Sequence, residues 1–285
     1  MKRLLSSMAL AAVVVLCLSC DRQETQTQGS EEVKQPDVTS LPDPVTGDYY
    51  YSDGTWSSDL NPEKTLIGIV YWVGNPSVDD EAMQRECPEC VHGLVVSLNQ
   101  DASPWQTSME SYGDDVSSWF GDDEEFALPY VSTLNESLNT RRGYSYTKAL
   151  EKFNSDPVNE YYKVDAVEAV LEYRSEVPAP VSSSDWYLPS PKELSLMCSG
   201  EYDGNILNIP VPSIEMRTLL NDRLVEIEGA YWLTGGVYWA SAEYDDRGTD
   251  QRGWMVAWNV YFTDGEVNIS FKDFGSAYCR YILAF

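Results

Sequence analysis

The sequence predicts an α+β fold, with two to three helices packed on a mainly antiparallel sheet. Between residues 145 and 171, apolar residues recur at helical spacing. Between residues 254 and 262 they alternate with a period of two, as on a strand with one buried face. Residues 263–266 read Thr-Asp-Gly-Glu, which is typical of a hairpin turn. Helices followed by a late antiparallel sheet are characteristic of the α+β class.

Strands are predicted at the start of the folded region. Three tyrosines at 49–51 enter a turn at residues 52–55, and residues 66–73 form a β-rich run that fits a central strand. A further strand is expected at residues 91–98. Residues 99–142 show no dominant pattern and receive no assignment.

Helices are predicted through the middle of the chain. The first carries its apolar residues on one face, and Asp156 with Pro157 is expected to start the second. Ser213 is expected to cap a later helix that ends at Gly229. The apolar stripes of these helices indicate core packing, not a cofactor surface.

Residues 185–194 give the densest local signal in the chain. Ser190 is a helix N-cap, Pro191 fits the first helical position, and Glu193 completes a capping box. The short helix that follows carries Cys198 and is expected to stop at Gly200. Later strands are expected at residues 237–242 and 277–285.

Three motifs in this order resemble a known group of bacterial surface domains. The motifs are Trp-Tyr-Leu-Pro-Ser-Pro-Lys-Glu-Leu at 186–194, Tyr-Trp-Ala-Ser-Ala-Glu at 238–243 and Cys-Arg-Tyr-Ile-Leu-Ala-Phe at 279–285. They are similar to signatures of C-type-lectin-like domains, in the Fibrobacter major paralogous family and in the C-terminal domain of collagen-like adhesins. The resemblance covers residues 48 to 285 and implies a C-type-lectin-like fold.

The charge of the chain restricts its partners. With 19 basic and 46 acidic residues among 285, the formal net charge is −27. Nucleic acid is excluded as a partner, because neutralising phosphates requires clustered Lys and Arg. Anionic membrane surfaces are disfavoured for the same reason. Solubility at a cell surface is the simplest interpretation, and calcium binding is the alternative.

The first residues are predicted to export and anchor the chain. Lys2 and Arg3 precede a short apolar run, and residues 1–19 are interpreted as a lipoprotein signal peptide. Cleavage would leave Cys20 lipidated, so that the lipid is the only membrane anchor, at the outer membrane or cell surface. An ordinary secreted protein is the alternative. Residues 20–47 are predicted to be the lipid anchor and a flexible tether, and residues 48–285 a single domain.

Four further cysteines are expected to form disulfides: Cys87, Cys90, Cys198 and Cys279. Three connectivities are open. The resemblance to C-type-lectin-like domains implies a Cys198–Cys279 bridge, with Cys87 and Cys90 closing a short local loop. Two alternatives for that loop are a redox Cys-x-x-Cys site and a zinc site that adds His92 and needs a fourth ligand.

The resemblance places a ligand site near the loop that follows residues 238–243. Exposed aromatic residues there would stack on sugar faces, and acidic residues would supply calcium ligands. Calcium-dependent sugar binding is weakened because the usual sugar-binding triplet is absent and Val260 replaces an expected acid after Asn259. The candidate ligand-binding residues are Trp232, Trp239, Glu243, Tyr244, Asp245, Asp246, Asp250 and Asn259.

Catalysis is not expected. His92 is the single histidine, and no nucleophile-elbow pattern or phosphate-binding glycine loop is present. Sulfatase-modifying enzymes share a signature resembling residues 188–194, but their later motif is missing. No cofactor is expected, with calcium as the alternative.

The sequence thus predicts a cell-surface lipoprotein that acts as a ligand-binding or adhesion module for a glycan or a protein. A structural or accessory subunit of a pilus-like or fimbria-like assembly is the alternative, and a sulfatase-modifying type of enzyme is a third hypothesis.

Overall fold

A nine-stranded sheet forms the centre of the described part of the chain. The computed structural model describes residues 41–108, 116–120, 130–131, 136–209, 213–244 and 255–285. The strands are β1 Tyr49–Tyr51, β2 Trp56–Ser57, β3 Leu66–Val73, β4 Gly93–Ala102, β5 Tyr130–Val131, β6 Val237–Tyr244, β7 Val256–Tyr261, β8 Glu266–Phe271 and β9 Tyr278–Ala284. Their order across the sheet is β2-β1-β3-β4-β9-β6-β7-β8, and β5 pairs with β6 outside this order.

Most neighbouring strands are antiparallel, as predicted, and the parallel pairs are β5 with β6 and β6 with β9. The bounds of β3 agree with the prediction. β4 starts two residues later than predicted and extends to Ala102. Gly93 begins β4, where a Cβ atom would meet the backbone of Trp72, so the close pairing of β3 and β4 at this point requires glycine.

Six α-helices lie within the described ranges, whereas the predicted fold class had two to three and the sequence analysis placed four individual helices. The two short helices that the sequence analysis missed have six and five residues, too few to show a helical period. The helices are α1 Glu81–Glu86, α2 Val116–Phe120, α3 Gly143–Ser155, α4 Asp165–Glu176, α5 Pro191–Ser199 and α6 Glu215–Leu224. Ser213 does not cap α6, whose N-cap is Ile214, and Asp156 caps a short 3₁₀ helix instead of α4.

The predicted capping box of α5 is confirmed. The Ser190 backbone N–H donates to Glu193 Oε2 at 2.7 Å, and the Glu193 N–H donates to Ser190 Oγ at 3.3 Å. The same carboxylate also accepts hydrogen bonds from the Gly143 N–H at 3.0 Å and the Tyr187 hydroxyl at 3.2 Å. Glu193 therefore joins the start of α5 to the start of α3. Burial raises the pKa of Glu193 to about 7.

Helices cover both faces of the sheet, so both faces are buried. One core cluster joins α1, α5 and α6 to one face, and a second joins α4 and the C-terminal half of α3 to the other. The alternation around β7 predicted one core face, formed by residues such as Trp258 and Val260, and this face is buried. Ala257 and Asn259, on the opposite face of the same strand, are also fully buried.

The expected Cys198–Cys279 disulfide is wrong for this structure. All four cysteines in the described ranges are free thiols. Cys198 belongs to the core cluster on the α5 face of the sheet, whereas Cys279 belongs to the cluster on the opposite face. A bridge between them would have to cross the sheet, and a disulfide spans at most about 7 Å between Cα atoms.

Residues 41–47, expected to end the flexible tether, lie against the folded body. The Gly47 N–H donates to the Val70 carbonyl at 2.7 Å, and the Trp56 indole N–H donates to the Pro42 carbonyl at 2.9 Å. Cys20 and the predicted signal peptide lie outside the described residues. No helix within the described ranges is long and apolar enough to cross a membrane.

Candidate functional site

The predicted ligand-binding residues do not form one cluster. They are distributed along β6 and around both of its ends: Trp232 precedes the strand, Trp239 and Glu243 lie within it, and Tyr244 ends it. Eight residues of extended chain span about 23 Å, at about 3.3 Å per residue. The two ends of β6 are therefore well separated, with Trp232 before one end and Tyr244 at the other.

Trp239 and Asn259 are buried and cannot stack on a sugar. Both have 0% of their surface exposed, and they face each other as paired residues of β6 and β7. The Trp239 indole N–H donates to the Ser103 carbonyl at 3.0 Å. The prediction that these residues line an exposed site is wrong because helices cover this face of the sheet as well.

Glu243 is also buried, and it forms an ion pair with Lys272. Its carboxylate accepts a further hydrogen bond from the Val116 N–H at 2.9 Å. Lys272 in turn lies 4.9 Å from the centroid of the Trp105 ring and donates to Gln106 Oε1 at 3.3 Å. The carboxylate thus ties β6 to the segment after β8 and to α2, and its oxygens do not face solvent.

The calcium alternative has no support in the described residues. Asp245, Asp246 and Asp250 lie outside them, and Tyr244 is half-buried with its ring edge-on to Trp258 at 5.4 Å. Within the described ranges, no group of three or more His, Cys, Asp or Glu residues could hold a metal ion.

The zinc alternative is not formed either. His92 lies between two aromatic rings, 5.5 Å from Trp56 and 6.0 Å from Phe285, measured between ring centroids. With Cys87 and Cys90 it does not make a metal-binding group among the described residues. The ring of His92 is thus part of an aromatic packing arrangement at the end of β9.

Trp232 is the predicted candidate that the structure exposes. It lies in the segment between α6 and β6, residues 229–236, which we call the aromatic loop. The neighbouring Tyr231 is also exposed, with 56% of its surface accessible against 59% for Trp232. Tyr231 and Trp232 are consecutive in the sequence, and both precede β6. Single exposed apolar residues are ordinary, so it is the pair of consecutive exposed aromatic residues that makes this loop a candidate contact surface.

The backbone of the aromatic loop is held by hydrogen bonds on both sides of these rings. The Tyr231 N–H donates to the Leu98 carbonyl of β4 at 2.9 Å, and Arg280 Nη1 of β9 donates to the Tyr231 carbonyl at 3.0 Å. The Thr234 N–H donates to the Tyr238 hydroxyl at 2.9 Å. The sheet therefore fixes the position of the loop beneath the exposed side chains.

Helix α6 holds the other side of the aromatic loop. Asn221 accepts from the Leu233 N–H at 2.8 Å and donates to the Leu233 carbonyl at 3.0 Å. Arg217 Nε donates to the same carbonyl at 3.0 Å. Leu233 itself is fully buried, so it anchors the loop in the core below α6.

A polar layer lies below the loop. The Tyr238 hydroxyl donates to Gln100 Oε1 at 2.8 Å, and the same oxygen lies 3.4 Å from Arg280 Nη1. Arg280 is fully buried, and burial lowers its pKa to about 10, which leaves the guanidinium charged at neutral pH. The Tyr231 carbonyl is thus held by a charged donor, and hydrogen bonds to charged groups are stronger than neutral ones.

This arrangement suits binding to another molecule more than catalysis. Adjacent Tyr and Trp side chains on a fixed backbone supply apolar contact area with little conformational entropy to lose. Residues of these two types dominate binding energy at protein interfaces. They also stack on sugar rings.

Sequence reasoning found Trp232 but missed Tyr231 and Arg280. An aromatic pair followed closely by Gly235 and Gly236 is a loop signal that could have identified Tyr231. Arg280 gave no comparable signal, because its carbonyl acceptor lies 49 residues away in sequence.

Comparison with known proteins points to fimbrial subunits of Bacteroides. The chain is 26% identical over 224 residues to a Bacteroides ovatus protein named as a fimbrium tip subunit, Fim1C, covering 70% of this chain and 39% of that protein. It also resembles a solved fimbrial protein from the same species, with a TM-score of 0.63 and 23% identity, covering 85% of this chain and 49% of the other.

The chain thus spans less than half the length of either protein. No protein-family model matches it. The structural similarity shows that the described α+β body has the fold of part of a fimbrial protein. Neither similarity tests the C-type-lectin-like expectation.

Proposed function

We propose that this chain is a surface subunit of a fimbria-like assembly, the alternative function considered from the sequence. The supporting observation is the structural similarity to a fimbrial protein across 85% of the chain, together with the sequence similarity to a fimbrium tip subunit. Similarity to fimbrial subunits favours a subunit of an assembly over an adhesion module that acts alone. The proposed role in the assembly is non-enzymatic. The C-type-lectin-like classification stays a proposal that rests on the three sequence motifs at residues 186–194, 238–243 and 279–285.

The aromatic loop is the proposed contact with another protein of the assembly. Tyr231 and Trp232 would enter a pocket or groove of the neighbouring protein, and the fixed backbone would set their direction. The net charge of −27 opposes close approach of another strongly acidic surface. The proposed partner is therefore a protein with a neutral or basic contact surface, not a nucleic acid or an anionic membrane.

The proposed location is the cell surface. Export through the signal peptide and a lipid at Cys20 would hold the chain at the membrane, and the residues after Cys20 would separate the folded body from it. This arrangement would present the aromatic loop to other surface proteins.

The test is isolation of the chain with its neighbours from intact cells that produce it. Cells are treated with an amine-reactive cross-linker, which reacts with the lysine side chains of the chain. The tagged chain is then recovered and its cross-linked partners are identified by mass spectrometry. The proposal predicts cross-links to the same few surface proteins in every preparation, and filaments labelled by antibody in electron micrographs. Recovery of the chain alone would contradict it.

A glycan array on the purified full-length chain separates the two main hypotheses. Binding to defined sugars without cross-linked protein partners would favour the independent adhesion module. Cross-linked partners with no sugar binding would favour the assembly subunit.

A further inference from the structure

Cys87 and Cys90 lie at the two ends of a tight turn that follows α1. The Cys90 N–H donates to the Cys87 carbonyl at 3.0 Å, with Pro88 and Glu89 as the two central residues. Proline is favoured at the first central position of the commonest turns. Such a turn brings its end Cα atoms within about 7 Å, which overlaps the range that a disulfide requires.

The two thiols also interact across the turn, since each is the leading influence on the pKa of the other. This contact distinguishes the pair from Cys198 and Cys279, which lie in separate cores on opposite faces of the sheet. A Cys87–Cys90 bond would therefore close a short loop within one turn.

The two thiols differ in access. Cys87 is half-buried, whereas Cys90 is 1% exposed. Cys90 Sγ lies 3.3 Å from the Ala284 carbonyl of β9, and that oxygen also accepts from the Ser184 N–H at 2.9 Å. If Cys90 loses its S–H, the Ala284 carbonyl still accepts the hydrogen bond from the Ser184 N–H. The structure around Cys90 therefore tolerates oxidation.

The surroundings of Cys87 favour its thiolate. The Cys90 thiol lowers the pKa of Cys87 to about 7, against the opposing effects of burial and of the Glu86 carboxylate. The interaction with Cys87, followed by burial, raises the pKa of Cys90. The accessible sulfur is thus also the more reactive one, since the thiolate is the nucleophile in exchange reactions.

We propose that Cys87 and Cys90 form a thiol–disulfide exchange site, with Cys87 as the attacking sulfur and Cys90 as the resolving sulfur. The co-reactant is a disulfide, of a small molecule or of a protein. The Cys87 thiolate attacks one sulfur of that disulfide and releases one thiol. Cys90 then gives up its proton, attacks the Cys87 sulfur and releases the second thiol. Two cysteine sulfurs are oxidised by two electrons, and the co-reactant is reduced to two thiols.

The test equilibrates purified full-length chain with mixtures of oxidised and reduced glutathione, followed by alkylation and peptide mass spectrometry. The expected result is a bridged 87–90 peptide under oxidising mixtures, while Cys198 and Cys279 stay alkylatable after unfolding. Cys90→Ser should instead hold glutathione at Cys87, since the resolving thiol is gone. Cys87→Ser should leave Cys90 unmodified in the folded chain.

Cys198→Ser is the matched control, since it removes a buried thiol outside the turn and should leave the redox titration unchanged. If Cys87 and Cys90 both stay alkylatable in every mixture, or if either one bridges to a different cysteine, the proposal is overturned. The measurement needs no partner protein, so it stands or fails independently of the proposed assembly function. The proposed cell-surface location is relevant only because disulfides persist in an oxidising environment outside the cell.

Discussion

Glu193 is a fully buried carboxyl group whose pKa is raised by burial from 4.5 to about 7. The folded state therefore binds a proton that the unfolded state has lost between these two pH values. Its contribution to stability is complete below about pH 4.5 and is lost as the pH rises to about 7. Glu193→Gln keeps an acceptor for the Ser190 and Gly143 N–H groups but cannot ionise.

We expect the free energy of unfolding of wild type to fall relative to that of Glu193→Gln by about 3 kcal/mol between about pH 5 and about pH 8. Urea unfolding at several pH values measures this difference. Glu160→Gln, at an exposed position, is the control and should follow wild type. Parallel curves for wild type and Glu193→Gln would show that the buried carboxyl is not titrating as stated.

Lys272 and Glu243 give a second prediction for single residues. Lys272→Met would leave the Glu243 carboxylate buried without its cation, at a cost of about 3–5 kcal/mol. Replacing both residues with apolar ones should restore much of that loss, because no uncompensated charge is left. Chemical unfolding of the single and double variants measures both effects.

Lys163→Met provides the matched control for the buried pair. Lys163 pairs with Glu168 at 3.4 Å, but the two side chains are 40% and 44% exposed. Exposed pairs contribute at most about 1 kcal/mol, so this variant should stay close to wild type. An equal cost for Lys163→Met and Lys272→Met would contradict the assigned role of burial.

The packing of α3 against α5 is best tested at Gly143, the first residue of α3. A Cβ atom there would lie 2.6 Å from the Leu188 carbonyl and 2.7 Å from the Ser190 nitrogen, and in contact with Glu193 Oε2. Gly143→Ala should therefore destabilise the fold by about 1–3 kcal/mol through overpacking. Thermal unfolding measures this loss of stability. Gly275→Ala is the control, because a Cβ at that position would meet nothing within 4 Å.

Elements specified by local sequence were the ones that could be predicted. The capping box of α5 uses residues three apart, and the hairpin before β8 needs only its turn residues, so both could be read directly. The roles of Glu243 and Leu233 depend on Lys272 and Asn221, which lie 29 and 12 residues away. Their burial follows from tertiary packing, and a single sequence contains no direct signal for it.

The same distinction explains the candidate site. Aromatic residues around β6 could be recognised as a group, but whether each faced solvent depended on the helices that cover the sheet. Those helices bury Trp239 from one face, whereas Tyr231 and Trp232 precede the strand and stay exposed. Whether Trp232 is exposed thus depends on where the helices pack on the sheet, which the local sequence does not specify.

For the whole molecule, the decisive prediction concerns the aromatic loop. The double variant Tyr231→Ala, Trp232→Ala removes two exposed rings but none of the backbone hydrogen bonds that hold the loop. Thermal unfolding should therefore stay within about 0.5 kcal/mol of wild type, as for ordinary surface substitutions. Capture of cross-linked partners should fall strongly, since interface aromatics of this kind contribute about 2 kcal/mol or more.

Tyr161→Ala is the control for this experiment, because Tyr161 is an exposed aromatic residue outside the loop, 78% accessible. It should change neither stability nor partner capture. If both variants capture partners as wild type does, the contact lies elsewhere on the molecule, although the chain itself could still be a subunit. If both variants lose capture equally, exposed aromatic residues act without specificity, and the loop has no special role. Loss confined to the loop variant would locate the contact at the end of the sheet where Tyr231 and Trp232 lie.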